Sequence, residues 1–489
     1  MAIIMDVNQL EHLMRNLAIK ETRTNSLDML ESKLADVNQE IFEVMLRSES
    51  LFKFLADANS DQHSTASRII YDKALEFYPN GSAVFDQFIE RCLTHPKGTV
   101  KQFGMRGASI MVSEAAGVSS NNLQLLIVHC IPLKEVLVDT LINMLVKALP
   151  AIFTEAGVQA NLLTVLEHDE TIRCRVYEVV CTILEKHPAL LPIAEPIIKR
   201  ALSDLEKEDV LLQTSVLQIL TQLLATKEGF DYIESVDLFR KVYANFVAVK
   251  ATVYLRFVLP NALKFYASAA LVQPALFLSR YPESVDFIFD KTSPDDPMVM
   301  AIAYDCLGMV GSTNEGKIHL SDHQETKMET ILKELPGILH TTPEAYKVRF
   351  IECLASLLSG GSEPIDNRIS SITQKWYETM TGSEDLEMVQ DLFKVPFPTI
   401  KKASLQLLSA IVDHRWGQQF FQNTGCFSEL LLNRSLDNDV NVTQFKYDVI
   451  KKLSQCTLES FVSEALKKYV SEGAFYRKAQ VEVVIEGGQ

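Results

Sequence analysis

The sequence of 489 residues lacks the signals that direct a chain into or across a membrane. Its first residues, Met1–Asp6, have neither the basic segment nor the long apolar segment of a secretory signal peptide. No apolar run reaches the ~18 to 20 residues of a membrane-spanning helix, since the most apolar stretch, 257–278, contains Pro260, Lys264 and Pro274. We therefore expect a soluble protein of the cytoplasm or the nucleus.

Paired cysteines and an excess of positive charge are also missing. The eight cysteines are scattered without a Cys-x-x-Cys pair, so we interpret them as small buried residues of a reducing compartment rather than as disulfides or zinc ligands. The formal net charge is -16, and so acidic a chain repels phosphate backbones and anionic lipids. Neither nucleic acid nor a membrane is an expected partner.

Motifs of enzymes are absent or incomplete. Neither His-Glu-x-x-His nor Gly-x-Ser-x-Gly occurs. The segment Gly311–Ile318 has the spacing of a phosphate-binding loop, but Ile318 stands where Ser or Thr must ligate magnesium, so we interpret it as a turn between helices. His319 and His323 have the spacing of helical metal ligands without an evident third ligand, and we place them in a solvated loop. The sequence thus predicts no catalytic residue, cofactor or metal.

What the chain does contain is one apolar pattern that recurs. In 172–184, apolar residues stand at offsets 0, 4, 7, 8, 11 and 12, which is one face of an α-helix. The same pattern starts at Leu212 and Tyr346, and looser copies start at Tyr254, Val299, Ile400 and Val442. The seven starts are separated by 40, 42, 45, 47, 54 and 42 residues, which matches the ~40 to 47 residues of HEAT and armadillo repeats.

Signals for helix ends accompany the repeats. Four copies have an aspartate three residues before the start, where a carboxylate caps a helix; these are Asp169, Asp209, Asp296 and Asp439. Several copies end near a glycine, namely Gly229, Gly316 or Gly417, and we expect these glycines to adopt the positive φ that closes a helix. Each repeat is therefore predicted to be a helix, a short turn and a second helix.

The repeats predict an all-α fold, a HEAT/armadillo-like α-solenoid in which helical repeats stack into a superhelical array. We assign residues 1–95 to an N-terminal helical cap, 96–480 to the repeat array and 481–489 to a disordered tail. Such an array presents an extended surface to other proteins, so we expect a monomer that binds a protein partner rather than an enzyme.

Basic residues recur beside the buried stripe of several repeats. They are Arg173, Arg175, Arg256, Lys347, Arg349, Lys401 and Lys402. If the helices that carry them line one surface, stacking forms a basic ladder that binds a partner's carboxylates. Alternatively, these side chains pair with the cap aspartates inside the array, and both interpretations stay open.

A set of short segments between about 95 and 480 carries a family resemblance. The segments are Arg173–Glu178, Leu259–Phe265, Arg280–Pro282, Gly311–Lys317, Lys347–Arg349, the region of Trp416, and Ser471–Tyr476. Through these segments, in this order, the sequence resembles the family of 26S proteasome non-ATPase regulatory subunit 5. Arg173, Arg175, Lys347 and Arg349 match basic positions in the pattern of that family.

The resemblance implies a chaperone in assembly of the base of the 26S proteasome regulatory particle. It implies binding to the C-terminal domain of ATPase regulatory subunit 7, in a module with ATPase regulatory subunit 4 and non-ATPase regulatory subunit 2. It also implies release before the mature particle forms. A subunit covered in this way cannot dock prematurely on the proteolytic core, so the role needs surface rather than catalysis.

Two other functions stay open at this point. One is a different HEAT or armadillo scaffold, such as a transport adaptor or a phosphatase scaffold. Transport receptors of this class carry rows of Trp and Asn, whereas this chain has only Trp376 and Trp416. The other is an enzyme on a helical scaffold, for which the Gly311 segment is a weak indication.

Overall fold

A computed structural model describes residues 6–34, 37–114, 117–134, 138–247, 255–293, 296–361, 365–436 and 439–476. Within these ranges the regular structure is helical, which confirms the all-α prediction. The chain forms two compact units, Met1–Gly229 and Phe230–Gln489. The predicted division at residue 95 stays a prediction, and the predicted tail 481–489 lies outside the described residues.

The first unit contains thirteen complete α-helices in its described residues. They are α1 (Val7–Ala18), α2 (Arg23–Leu34), α3 (Gln39–Arg47), α4 (Glu49–Asp57), α5 (Ser60–Phe77), α6 (Ala83–Leu93), α7 (Gly98–Ser113), α8 (Ser120–Cys130), α9 (Val138–Ala148), α10 (Ala156–Val165), α11 (Glu170–Lys186), α12 (Leu191–Leu205) and α13 (Val210–Thr221). The division between the units falls inside α14 (Lys227–Ser235).

The described part of the second unit continues with shorter and longer helices. They are α15 (Leu238–Val242), α16 (Leu255–Val272), α17 (Pro274–Arg280), α18 (Pro282–Asp290), α19 (Pro297–Val310), α20 (Asn314–His323), α21 (Glu325–Thr341), α22 (Glu344–Leu358), α23 (Asn367–Thr381), α24 (Glu387–Lys394), α25 (Pro398–Ile411), α26 (Arg415–Asn423), α27 (Phe427–Leu432), α28 (Val440–Leu453) and α29 (Ser460–Glu472).

Each unit is built from two layers of helices. In the first unit, α4, α7, α9, α11 and α13 pack in succession, and α3, α6, α8, α10 and α12 form the other layer. In the second unit, α16, α19, α22, α25 and α28 pack in succession against a layer that includes α17, α20, α23 and α26. Stacked helical hairpins of this kind are the architecture of HEAT and armadillo solenoids, so the predicted fold class is confirmed.

The recurring apolar pattern supplies the core between the layers. All six pattern residues of α11, from Ile172 to Leu184, are buried, and so are the six from Leu212 to Leu224, which lie on α13 and on the 3-10 turn Gln222–Ala225 that follows it. Of the six pattern residues of α22, Tyr346 is half-buried and the other five are buried. Each buried Leu, Ile, Val or Phe contributes about 1.5 to 3 kcal/mol, so this pattern is the main source of stability in each repeat.

The predicted aspartate caps are confirmed. The carboxylate of Asp169 accepts the backbone N–H of Ile172 at 3.0 Å, and Asp209 accepts that of Leu212 at the same distance. Asp296 and Asp439 cap α19 and α28 in the same way. A cap of this kind contributes about 1 kcal/mol and fixes where each repeat begins.

The glycines near the helix ends do not adopt the predicted positive φ. Gly229, Gly316 and Gly417 are each the third residue of the second helix in their hairpin, and none has a positive φ. Instead, a Cβ on any of them would overlap a carbonyl oxygen at the end of the preceding helical segment. Glycine is required because the two helices approach closely, not because a helix must be closed.

Most cysteines fit the prediction, and one does not. Cys92, Cys130, Cys181, Cys306 and Cys353 are buried, Cys174 and Cys456 are half-buried, and all eight are free thiols. Cys426 is exposed and has a φ of 60° at the start of α27, so the burial expected for it was wrong.

Among the described residues, no helix is both long and apolar enough to cross a membrane.

Candidate protein-binding surface

The seven predicted basic residues lie on four helices. Arg173 and Arg175 lie on α11 in the first unit. In the second unit, Lys347 and Arg349 lie on α22, and Lys401 and Lys402 lie on α25. Arg256 lies on α16, and its side chain is outside the described residues. A single basic ladder through all seven residues stays a prediction. The six side chains that the structure describes fall into two groups, those with hydrogen bonds or ion pairs inside their own unit and those without.

Arg173 belongs to the internal group. Only 7% of its surface is exposed, and its Nε donates to Oδ2 of the buried Asp204 at 2.7 Å. The hydroxyl of Tyr177 donates to the same oxygen at 2.8 Å, and Lys207 forms an ion pair with Oδ1. Burial alone would raise the pKa of Asp204, but the hydrogen bonds from Lys207, Arg173 and Tyr177 outweigh it and hold the pKa below 3.8.

This network joins α11 to α12 within one repeat. Asp204 lies in the last turn of α12, so it is not one of the cap aspartates that the internal-pairing alternative named. Arg173 therefore has an internal partner of a different kind from the predicted one. With so little exposed surface, it can contribute little to contacts with another protein.

Arg175 also points into its own unit. Its Nη1 donates to the carbonyl oxygens of Ile131 at 2.8 Å and Leu133 at 2.7 Å, directly after α8 ends at Cys130. Carbonyl groups at a helix end have no partner within the helix, and a cation there interacts favourably with the helix dipole. Arg175 thus ties α11 to the end of an earlier helix.

Arg349 forms the corresponding tie in the second unit. Its Nε donates to Oδ2 of Asp305 at 2.8 Å, and its Nη2 contacts the same oxygen. Asp305 lies on α19, the preceding helix of the layer. Both side chains are partly exposed, so the pair holds two neighbouring repeats together and still presents part of its surface to solvent.

Lys401 is engaged in a similar way. Its Nζ donates to the carbonyl oxygen of Leu436 at 3.1 Å and lies 5.6 Å from the centre of the Phe393 ring. A cation over an aromatic face gains about 0.5 to 1 kcal/mol at a partly exposed site. Lys401 therefore connects α25 with the segment that leads into α28.

Lys347 and Lys402 form the second group. Lys347 is half-buried and Lys402 is exposed, and neither has a hydrogen bond or an ion pair with any residue that the structure describes. Lys402 lines a groove of about 390 Å³ between α25 and α28, together with Thr399, Phe445 and Asp448. We call this the α25–α28 groove.

The α25–α28 groove combines charges of both signs with one aromatic ring. Asp439 and Asp448 line it on the α28 side, and Lys402 on the α25 side. Beside it on α22, burial raises the pKa of Glu352, and the nearby Asp305 adds to this effect. A surface of this composition suits a polar protein partner, since opposite charges there give orientation and specificity.

In the segment with phosphate-loop spacing, only residues 311–313 form the predicted turn between helices, and residues 314–318 already belong to α20. Gly311 follows the last residue of α19, and Lys317 is fully buried in α20. The Nζ of Lys317 donates to the carbonyl oxygen of Ser312 and to Oγ of Ser359, both at 3.3 Å. Burial lowers the pKa of Lys317 to about 8. The side chain joins two neighbouring turns instead of facing a ligand.

The solvated loop expected at His319 and His323 was wrong, since both residues lie on α20. Their ring centres are 4.8 Å apart, as the i, i+4 spacing on a helix requires. Among the described residues no cluster of three metal-ligating side chains forms, here or elsewhere. His319 is half-buried and His323 is exposed. Burial lowers the pKa of His319, which favours its neutral form.

The sequence did not predict a second groove, at the end of the last repeat. It has a volume of about 860 Å³ and lies between α28, α29 and the segment 473–476. Val440, Lys468, Tyr469, Phe475 and Tyr476 line it. We call it the C-terminal groove. The one signal in the sequence is the pair of aromatic residues, Phe475 and Tyr476, directly after the last amphipathic helix.

Comparisons with known sequences agree over nearly the whole chain. Residues 6–489 match the model of the family described as proteasome non-ATPase 26S subunit. The chain is 26% identical to 26S proteasome non-ATPase regulatory subunit 5 of Drosophila melanogaster, over 97% of each chain. It is 28% identical to the Bos taurus protein of the same name, over 82% of this chain and 83% of that one.

Solved structures show the same fold at low identity. Two crystal structures of importin β are similar to the chain, with TM-scores of 0.59 and 0.55 and 12% identity in both cases. The likeness covers 94% and 95% of this chain, and 64% and 70% of those chains. At this identity the likeness concerns the fold alone.

Proposed function

Since the chain belongs to the family of the proteasome non-ATPase 26S subunit, we propose that it is a chaperone in assembly of the base of the 26S proteasome regulatory particle. Its direct partner in this proposal is the C-terminal domain of ATPase regulatory subunit 7. ATPase regulatory subunit 4 and non-ATPase regulatory subunit 2 belong to the same module. The observation that carries the proposal is the family match from residue 6 to residue 489.

The architecture supports a role in binding. Stacked helical hairpins give each unit a long solvent-facing layer whose side chains are free to vary without affecting the core. A standard protein interface buries about 800 Å² on each partner, and the successive helices α19, α22, α25 and α28 offer a continuous layer on which such an area can be built. We propose that the protein acts through this surface, without catalysis, in the cytoplasm or the nucleus.

The contacts of the basic residues refine which of them meet the partner. Arg173 and Arg175 are engaged inside the first unit, and Arg349 pairs with Asp305. Lys347 and Lys402 have no hydrogen bond or ion pair to any described residue, so their charges are available without breaking an internal contact. We propose that these two lysines, Lys402 in the α25–α28 groove and Lys347 on α22, bind carboxylates of the ATPase domain.

A pull-down of the tagged full-length protein from cells, with quantitative mass spectrometry, tests the proposal. A chaperone that leaves before the mature particle forms will recover ATPase subunits 7 and 4 and non-ATPase subunit 2 in excess over subunits of the proteolytic core. Recovery of the complete particle in equal amounts would instead indicate a permanent subunit. Recovery of transport cargo or phosphatase subunits without proteasomal ATPases would support a different scaffold function.

A further inference from the structure

Two histidines on α20 have no polar partner among the residues that the structure describes. Neither His319 nor His323 forms a hydrogen bond or an ion pair there. Nε2 of His319 is inaccessible to solvent and lacks a hydrogen-bond partner, although buried ring nitrogens are ordinarily hydrogen-bonded. Contacts within the described part of the chain therefore do not account for this pair.

A second imidazole distinguishes His319 from other histidines with an unpartnered buried nitrogen. Nε2 of His63 and Nδ1 of His414 also lack a partner in the described residues. Their rings lie beside a phenylalanine and a tryptophan, respectively. The ring beside His319 is that of His323, so two nitrogen ligands are close together at this one of the three places.

The two imidazole rings have the separation that a shared metal ion requires. Their centres are 4.8 Å apart, and their planes are tilted by 45°. A metal held by two imidazole nitrogens at ~2.0 to 2.1 Å, at an angle of roughly 90° to 110°, lies between rings whose centres are roughly 4.5 to 5.2 Å apart. The helix sets this spacing, because residues four positions apart are neighbours on its surface. The zinc-binding helix of metalloproteases holds its ion between two histidines at the same spacing.

His319 has the protonation state of a metal ligand. Burial, followed by the neighbouring His323, lowers its pKa from 6.5, so the ring is neutral near pH 7 and keeps a lone pair for coordination. His323 is exposed, so its side chain can turn to aim a nitrogen at the ion without a change in the core.

The acidic residue between the two histidines is engaged elsewhere. Asp322 forms an ion pair with Arg368 of α23 at 2.6 Å, so its carboxylate is already paired. Within the described residues, no group of three His, Cys, Asp or Glu side chains could hold a metal ion. A site at this pair consequently has two protein ligands, and water fills the open positions.

Imidazole nitrogen restricts the ions that such a site accepts. Magnesium and calcium prefer oxygen ligands, whereas nickel, copper and zinc bind imidazole well. At nitrogen sites the affinity rises from nickel to copper and falls again at zinc. The ligand for this pair is therefore a divalent ion from the end of the first transition row.

We propose that His319 and His323 form a two-histidine site for a divalent nickel, copper or zinc ion. Coordination supplies the partner that Nε2 of His319 lacks, and it links two consecutive turns of α20 through the metal. Water completes the coordination on the side of the exposed His323. This inference goes beyond the proposed chaperone function and does not depend on it.

Isothermal titration of the full-length protein with nickel chloride tests the proposal. The parent chain has no histidine tag and carries Cys426→Ser, which removes an exposed thiol. Nickel affinity will fall at least tenfold in His323→Ala, because a single imidazole loses the advantage of a chelate. His323 is the exposed last residue of α20, so this substitution leaves the core intact. Absence of saturable nickel binding by the parent chain, or equal binding by His323→Ala, would overturn the proposal.

His340→Ala provides the matched control. It also removes one exposed histidine from the last turn of a helix in the second unit. This variant will bind nickel as tightly as the parent chain. A loss equal to that in His323→Ala would show that the ion has no preference for the pair on α20, and it would contradict the proposed site.

Electron paramagnetic resonance of bound copper identifies the ligands themselves. The parent chain will show the nitrogen couplings of two imidazoles, and His323→Ala will show those of one. His340→Ala will leave the spectrum unchanged. A copper spectrum that does not respond to His323→Ala would place the ion elsewhere and overturn the proposal.

Discussion

Gly316 lies directly against the carbonyl oxygen of Val310, six residues earlier, so that a Cβ at this position would overlap that oxygen. Val310 is the last residue of α19, and Gly316 is the third residue of α20. The same relationship of six residues joins Gly229 to Leu223. It sets how closely the two helices of a hairpin approach, and it thereby fixes the geometry on which the next repeat stacks.

Substitution of Gly316 by Ala will therefore destabilise the second unit. The added methyl group meets backbone, which cannot move aside as a flexible side chain does, and overpacking of this kind costs about 1 to 3 kcal/mol. Trp376 and Trp416 both lie buried in the second unit, so urea unfolding followed by tryptophan fluorescence reports on that unit.

Gly337→Ala provides the matched control. Gly337 lies within α21, and a Cβ there has no heavy atom within 4 Å. Because Ala is favoured over Gly in a helix by roughly 0.5 to 1 kcal/mol, this variant will be slightly more stable than the wild type. Equal stability of the Gly316 and Gly337 variants would contradict the close-approach explanation.

The buried pair of Arg173 and Asp204 makes a prediction for the first unit. Arg173→Met leaves the buried carboxylate without its Nε donor, and removal of one partner of a buried pair costs about 3 kcal/mol or more. The double variant Arg173→Met/Asp204→Leu removes both charges and will recover part of this loss, since the hydroxyl of Tyr177 then loses its acceptor. Hydrogen exchange of α11 and α12 measures the effect in this unit.

The pH dependence of the same pair follows from the lowered pKa of Asp204. The carboxylate is charged in the folded protein at pH values where it is already protonated in the unfolded chain, so the pair contributes its full stability above pH 3.8. As the pH falls below that value, the advantage of the wild type over Arg173→Met will shrink. A difference that stays constant down to the folded-state pKa would argue against the pair as its source.

Lys317 gives a pH dependence of the same sign, but at alkaline pH. Burial lowers its pKa from 10.5 to about 8, so the folded protein loses a proton between these values while the unfolded chain retains it. Stability relative to Lys317→Met will therefore rise from pH 8 to pH 10.5, by up to about 3 kcal/mol. Urea unfolding by tryptophan fluorescence measures it, and Lys333→Met, at an exposed lysine of α21, will show no such rise.

Charge reversal tests the two lysines assigned to the partner surface. Lys347→Glu/Lys402→Glu will reduce capture of the ATPase domain at least tenfold with little change in the unfolding midpoint, because neither lysine forms a hydrogen bond or an ion pair with a described residue. The control, Lys333→Glu/Lys375→Glu, reverses two exposed charges on α21 and α23. Capture reduced equally by both double variants would indicate a general effect of net charge.

The repeat pattern predicted the helices of the layers because it reports burial directly. Six of the seven starts lie on a long helix of a layer, since a helix that must bury one face needs apolar residues at that period. The seventh start, Tyr254, lies outside the described residues. The caps were predictable for a related reason. Asp169 contacts a residue only three positions away, so its role depends on local sequence alone.

The partners of the basic residues were not predictable in the same way. Arg173 and Asp204 are 31 residues apart, and Arg349 and Asp305 are 44 apart; which carboxylate meets which guanidinium depends on the packing of neighbouring helices. The role of Gly316 was misjudged because a glycine near a helix end has two explanations, positive φ and close approach, and only the fold distinguishes them. The two grooves likewise arise between elements and have no local signature.

Isothermal titration of the full-length protein with the isolated C-terminal domain of ATPase regulatory subunit 7 tests the proposed function most directly. The proposal predicts saturable one-to-one binding with a Kd of about 1 μM or tighter. It also predicts binding at least tenfold weaker for the corresponding domain of an ATPase subunit outside the module. No detectable binding at ~100 μM of the subunit 7 domain, which corresponds to less than about 5.5 kcal/mol of binding free energy, would contradict it.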